Sequence, residues 1–476
     1  MAKAKTKKEK KFSYEKTNAW KTYAKDEKKI EQISDEYRNF LDMSKTERTS
    51  VDTIISFLKK DGYKEFDKIK SFKPGTKFYM VNKKKSMVAG ILGKNDMIKN
   101  GVNYIVSHID VPMLHLKPNP IYEDEKMVLA KTQYYGGVKK HHWINIPLAI
   151  YGVVYLKDGK EVRIKFGDDG KNAVVIPDLA IHISKGMAGR KESEVIKGEE
   201  LNVLLGSKPV YKKGKGKDAK EEELLKENIL SILNKEYGIE ERDIITGEFQ
   251  VVPALPALNI GMDSSMIGGF GHDDRVCAYA SLRALIDMKK PKNTVLSYWF
   301  DREEIGSTGN TGAQSIFFEY FIGLLLEKTN KTYNDLMLKR TLTNSFGISA
   351  DVAPAVDSTF KGAYDPRNSA RLGYGPLFHK YTGGRGKGGS NEASPEFLTN
   401  ITRLLDENKI PWQLNCLGKV DGGGGGTIAN YLCNLNTEVL DSGVPLLGLH
   451  SPYEIISKVD LYATIKAYIA FMEDFA

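Results

Sequence analysis

The chain has 476 residues, of which 41% are hydrophobic and 28% charged, so it is long enough for two or three domains and is neither a wholly disordered nor a fibrous polymer. Its formal charge of +9 points to nucleic acid only until it is located. Six Lys and one Glu put +5 in residues 1–12, five Lys and one Asp put +4 in 206–218, and the rest of the chain is neutral, so both stretches read as solvated lysine runs and no nucleic-acid partner is expected.

In chain order, residues 13–60 have a helical pattern with a stripe at Ile30, Ile33, Tyr37, Phe40 and Leu41. From about residue 78 short apolar runs, KFYMV, MVAGIL and NYIVSHID, predict strands. Residues 115–255 change texture. NIPLAIYGVVYL and EVRIKF flank the hairpin turn KDGK, VVIPDLAIHI continues the alternation, and EEELLKENILSILNKEY reads as a helix opened by acidic residues. From 256 onward strands and helices alternate. VCAYASLRALIDM, TGAQSIFFEYFIGLLLEK and DLYATIKAYIAFMEDF are predicted helices; TVLSYWF, GISADVAPAV and VPLLGLHS are predicted strands. That order predicts an α/β domain, a mostly parallel sheet flanked by helices, built from residues 1–114 and 256–476. A β-rich domain, 115–255, is inserted into it. The chain has no run of about 18 apolar residues, and no membrane partner is expected. The N-terminus has no apolar signal core, and three scattered cysteines, Cys277, Cys416 and Cys433, suit a reducing compartment. A cytoplasmic location is the expectation.

Five segments place metal-ligating residue types at the ends of predicted strands: His108 and Asp110, Asp273, the Glu303–Glu304 pair, Asp351 and His450. In open α/β sheets that edge is where sites form. Singly, each has a mundane explanation as a turn, a helix cap or a hydrogen-bonded core histidine. Together, several buried carboxylates need positive charge to offset their desolvation and repulsion. Two divalent cations, zinc or alternatively cobalt, manganese or magnesium, suit two His and three carboxylates. Neighbouring Glu303 and Glu304 can diverge on a loop, one ligating and one facing water, the division of labour in metal-assisted hydrolysis. His115 and His182 read as core or near-surface residues, and His272 as a neighbour that orients Asp273. GGRGKGG at 383–389 lacks the spacing of a phosphate loop, so no nucleotide site is expected.

These motifs match a known family. SHIDVPMLHLKPNP resembles the HTDSPxLRxKP segment of the aspartyl aminopeptidase and aminopeptidase I family of dinuclear zinc exopeptidases. DREEIGSTGNTGA resembles its NEEVGSxxxxGA, SADVAPAV its SADMAHAV, LGLHSPYE its xxMHSxRE, YGGVKKHHW its YGGGxWHxW and IPDLAIHI its IPxLAIH. The resemblance runs from about residue 75 to the end of the chain. It implies a zinc-exopeptidase-like fold and an aminopeptidase that takes N-terminal residues from peptide substrates. It implies His108, Asp273, Glu304, Asp351 and His450 as ligands, with Asp273 bridging two ions, Glu303 as general base and Asp110 orienting His108. It further implies that His141 reaches into a neighbour's site and that Lys380 touches substrate. The assembly implied is a tetrahedral dodecamer built from dimers through the inserted domain. Three stretches depart from the family pattern: AVDST, where Asp357 stands in place of a His near the substrate, GGRGKGGSNEAS, and DGGGGGTIAN. Asp357 therefore predicts a cationic or neutral first residue over an acidic one. HDDR resembles the tetrahedral glutamyl-aminopeptidase-like relatives, which remain an alternative beside another dinuclear amide hydrolase, a dipeptidase or deacylase.

Overall fold

The computed structural model describes residues 12, 14–213 and 221–475. Residues 1–11 and 214–218, which hold most of the two lysine runs, lie outside them.

The main sheet has nine strands. Its centre is four parallel strands in the spatial order Thr294–Phe300, Val102–His108, Phe346–Ala350 and Glu438–Gly443. Strand Ser86–Ile91 flanks one side and Leu377–His379 the other, both antiparallel to their neighbours. The sheet is thus mixed at its edges and parallel in the middle, as long apolar strands covered on both faces require. Alternation along the strands sorts the two faces. Ile105, Val295, Trp299, Ile348 and Leu440 join one core with helices His272–Asp287 and Lys458–Asp474. Tyr104, Val106, Leu296, Tyr298 and Phe300 join the other with helices Phe317–Thr329 and Asp335–Thr343. Each fully buried aliphatic or aromatic side chain contributes about 1.5–3 kcal/mol. The N-terminal pattern resolves into helices Glu27–Met43 and Glu47–Lys60, the second opened by a reciprocal cap between Thr46 and Thr49.

A second, antiparallel sheet of six strands uses residues 113–253 and has its own core around Trp143, Val154, Val203 and Val251. KDGK turns between strands Leu148–Tyr155 and Glu161–Phe166. Two local expectations fail here. The acidic run does not open a helix. Glu221–Leu224 is a strand paired with Val210–Lys213, in a register that sets Lys213 opposite Glu221 and Lys212 opposite Glu222, and the helix begins at Leu225. Pairing with Val210–Lys213 takes up the backbone hydrogen-bonding groups of this segment, so it is extended where local reasoning placed a helix. The segment IPDLAIHI is not a strand either; Ile181–Met187 is a 3-10 turn whose Ile181 and Ile183 are 83% and 68% exposed, and His182 is exposed rather than core.

No helix of the described residues is long and apolar enough to cross a membrane.

Candidate active site

Because the central strands run parallel, their carboxyl ends open on one edge. Phe300 stands in register with His108, so the turn carrying Glu303 and Glu304 starts beside that histidine. Asp351 follows the strand Phe346–Ala350 directly, and Asp273 sits in the first turn of helix His272–Asp287. His450 comes from the loop between strands Pro445–Leu447 and Glu454–Ser457. Arg302 and His450, neither of them glycine, take left-handed φ angles of 71° and 61°, conformations that cluster at functional sites.

The side chains converge. Asp273 gives one oxygen to each histidine: Oδ1 lies 3.1 Å from His108 Nε2 and Oδ2 lies 3.2 Å from His450 Nε2. Asp351 Oδ1 is 3.8 Å from His108 Nε2, and Glu304 Oε2 is 3.5 Å from His450 Nε2. Two donors on one tetrahedral zinc ion stand about 3.3 Å apart, so these separations suit shared ions. His108 Nε2, Asp273 Oδ1 and Glu304 Oε1 are buried with no hydrogen-bond partner, the condition of groups that need a cation. The adjacent glutamates do diverge. Glu304 faces His450, whereas Glu303 Oε2 lies 4.0 Å from His108 Nε2 on the cavity wall.

Without cations, protons balance this charge. Burial, with Asp351, Asp110 and Asp273, pushes Glu303 up to about 8 although His108 pulls it down. Burial, with Asp273, drives Glu304 well above the usual carboxylate range. Burial would lower His450, but Asp273, Glu304 and Glu454 outweigh it and raise it to about 10. Burial likewise opposes, but does not prevent, the lowering of Asp273 by the neighbouring His108 and His450.

Asp110 does more than the resemblance implies. The ring of His108 is set mainly by Asp110's backbone, with Nδ1 3.0 Å from the carbonyl oxygen and 3.4 Å from Oδ1. Its carboxylate accepts the Glu303 N–H at 3.1 Å and the Glu304 N–H at 3.2 Å, which fixes the backbone of the glutamate pair. Glu454 was not legible as a site residue. Fully buried, it accepts the N–H of Asp273 at 3.0 Å and of His450 at 2.7 Å. Its only sequence signal is its place in LGLHSPYE.

A cavity of about 700 Å³ opens over the cluster, lined by Asp273, Glu303, Glu304, Asp351 and His450 at one end. At the other end Gly383–Gly384 and Gly424–Gly425 form a two-stranded ribbon, so both glycine-rich stretches serve the cavity. Asp357 and Lys380 are not among the lining residues. Asp357 turns its carboxylate back on the Thr359 N–H at 2.7 Å. Lys380 follows the strand Leu377–His379 and is exposed, and alternation sends His379 to the cavity instead. Asp365, Arg385 and Lys419 are the charged lining residues at that far end. His141 is not among the lining residues either; it lies edge-on to His142 in the turn Lys140–Trp143. His272 orients nothing in the cluster directly; its Nδ1 bonds Tyr37 at 2.7 Å in the core.

Histidines and carboxylates around unsatisfied buried donors, with a spare carboxylate on the wall of an open cavity, equip a metal-dependent hydrolase. Comparison with known proteins gives the class a family. The model of the aminopeptidase I zinc metalloproteases (M18) matches residues 40–472. A probable M18 family aminopeptidase 1 of Clostridium acetobutylicum is 41% identical over 96% of this chain and 98% of its own. The crystal structure of an M18 aminopeptidase of Thermotoga maritima superimposes with a TM-score of 0.91 at 40% identity, covering 97% of this chain and all of that one. The mApe1 dodecamer of S. cerevisiae shares the fold, with a TM-score of 0.74 at 20% identity over 93% of this chain and 97% of that one. The chain belongs to the M18 family and is a zinc metalloaminopeptidase, the first of the two families its motifs resemble.

Proposed function

We propose that the enzyme holds two divalent metal ions, zinc in the first instance, and removes N-terminal residues from peptides with Glu303 as general base. The carrying observation is the Asp273 carboxylate, with one oxygen on each histidine at 3.1 and 3.2 Å. His108 and Asp351 would hold one ion and His450 and Glu304 the other, with Asp273 placed to serve both. Cations held there supply Lewis acidity, acidifying water and polarising a peptide carbonyl. Glu303, on the cavity wall beside the donors, takes the proton of the attacking water and delivers it to the leaving amine. Asp110 holds Glu303 and Glu304 in their divergent poses by their backbone N–H groups.

The working unit is a homo-oligomer, a tetrahedral dodecamer built from dimers through the sheet of residues 113–253. In its support, the S. cerevisiae relative of the same fold is a dodecamer. Ile181 and Ile183 expose apolar surface on that unit, of the sort that association covers. His141 then serves a neighbour's site, where it donates a hydrogen bond to the substrate carbonyl as charge develops. The setting is cytoplasmic, with neither membrane nor nucleic acid as partner.

The test is hydrolysis of a panel of aminoacyl-p-nitroanilides beside N-acetylated amino acids, after dialysis and reconstitution with zinc, cobalt or manganese. Turnover of anilides alone supports the aminopeptidase reading. Turnover of the acetylated compounds instead would make the enzyme a deacylase.

A further inference from the structure

The strand Met113–Asp124 leaves the metal cluster just after His108 and Asp110, and the strand Met127–Tyr135 returns to it. Met113 pairs with Tyr135 at the open end of this hairpin. There the second sheet touches the cluster at three consecutive residues. The Tyr135 hydroxyl donates to Asp110 Oδ2 at 2.8 Å, and Asp110 in turn holds the backbone of Glu303 and Glu304 and the Nδ1 edge of His108. His115, one turn of the pleat away on the partner strand, stacks on the Tyr135 ring at 4.9 Å and 17°, which fixes where the phenol points. Gly136 takes φ +72°, and a Cβ there would stand 3.2 Å from Glu304 Cβ. The Gly137 carbonyl lies 2.8 Å from His450 Nδ1. A carbonyl only accepts, so Nδ1 donates to it, which orients the ring with Nε2 toward Asp273 and Glu304, where it would serve as a donor to a cation held there. A Cβ on Gly137 would meet that same Nδ1 at 3.2 Å.

We propose that Tyr135 and Gly137 are positioning residues of the active site: Tyr135 acts through Asp110 on His108 and the glutamate pair, and Gly137 acts directly on His450. The inserted sheet then sets the donor geometry on both sides of Asp273, and movement of that sheet against the main domain is felt at both histidines. Hydrogen-bonded partners of ligands orient them and tune their basicity, and losing one weakens metal affinity or activity by about 10–100-fold. Asp110 is buried, so losing the phenol leaves one acceptor site empty without removing any group that ligates. Gly137 is not at a positive φ, so an alanine there adds a methyl group against the imidazole and leaves the carbonyl in place.

This inference rests on the metal-site reading above, and the experiment separates the two. Zinc is titrated out of the intact wild type, Y135F, G137A and a Y134F control with a chromophoric chelator. Melting temperature with and without metal, and kcat and KM on the best anilide, are read beside it. Tyr134 is an exposed neighbour on the same strand, and Y134F should match the wild type. Y135F should hold zinc about 10–100-fold more weakly and lose kcat with KM little changed, while its metal-free melting temperature stays at the wild-type value. G137A should weaken one class of zinc and leave the other. Wild-type zinc affinity in both variants, with any lost activity matched by a lower metal-free melting temperature, would overturn the positioning role and leave a merely structural one. Should Y135F not fold, G137A decides by the same two quantities. A wild type that binds fewer than two zinc ions would sink the dinuclear reading instead, while the ratio of variant to wild-type affinity would still judge Tyr135.

Discussion

Glu303→Gln isolates the proton-transfer step. The substitution keeps volume and leaves the backbone N–H of that position on Asp110 Oδ1, so the loop retains its 3.1 Å anchor. It removes the cavity-wall carboxylate beside His108 that is neither paired off with His450 nor shared between histidines. Loss of a positioned general base lowers the rate by about 10²–10⁴-fold, equivalent to about 2.7–5.4 kcal/mol of barrier. The fall should appear in kcat with KM little changed, since the substituted amide keeps the shape of the cavity. Stability gives an independent control. The folded-state pKa of Glu303, about 8, lies above its unfolded value of 4.5. Its contribution is therefore fully present below pH 4.5 and lost as pH rises through 8. Metal-free wild type should lose stability across that window, and Glu303→Gln should flatten the loss. Steady-state assays with the preferred anilide, beside metal analysis and melting curves from about pH 5 to 9, measure all of this. A variant that keeps both its metal and most of its turnover would refute the base assignment.

The same charges predict the pH dependence of metal uptake: protons on the ligands Glu304 and His450 must leave before zinc binds, so affinity should rise with pH toward 10, a trend isothermal titration in buffers of different ionisation heat will show or exclude. Mixing inactive His141→Ala with inactive Glu303→Gln subunits should restore part of the activity, because one site of a mixed pair has both residues; mixed oligomers as dead as their parents would remove His141 from the mechanism. Asp357→Asn should leave the anilide preference unchanged, since its carboxylate is spent on the Thr359 N–H, and a shift toward acidic substrates would restore the role its sequence position implies. Leu296→Ala empties a fully buried site in the central sheet and should lower unfolding stability by about 2–5 kcal/mol, read by chemical denaturation of the metal-loaded enzyme.

Legibility in the sequence followed physical range. His108, Asp351 and the glutamate pair end apolar strands, so their convergence follows from parallel pairing, which short buried runs alternating with helices already imply. Glu454, Tyr135 and Gly137 act across long stretches of chain, 181 residues from Glu454 to the Asp273 N–H it accepts and 313 from Gly137 to the His450 ring. No local spacing encodes such contacts; only the motif around each marked the place. The acidic run misled because helix-dipole logic is local, whereas the strand Val210–Lys213 opposite it is a neighbour only after the hairpin closes. Ile181 and Ile183 alternate like core residues and yet face outward in this chain, a pattern that serves burial between subunits as well as burial within one. Lys380 shows the opposite limit: a shift of one residue along a strand exchanges the cavity for solvent, and His379 takes the inward place.

The shared carboxylate of Asp273 is the centre of the account, and metal counting tests it most directly. Native mass spectrometry with elemental analysis should find two zinc ions per subunit in the wild type. Asp273→Ala should keep the fold, retain at most one and lose turnover. A wild type saturated by a single ion, or an Asp273→Ala variant that still holds two at full occupancy, would contradict it.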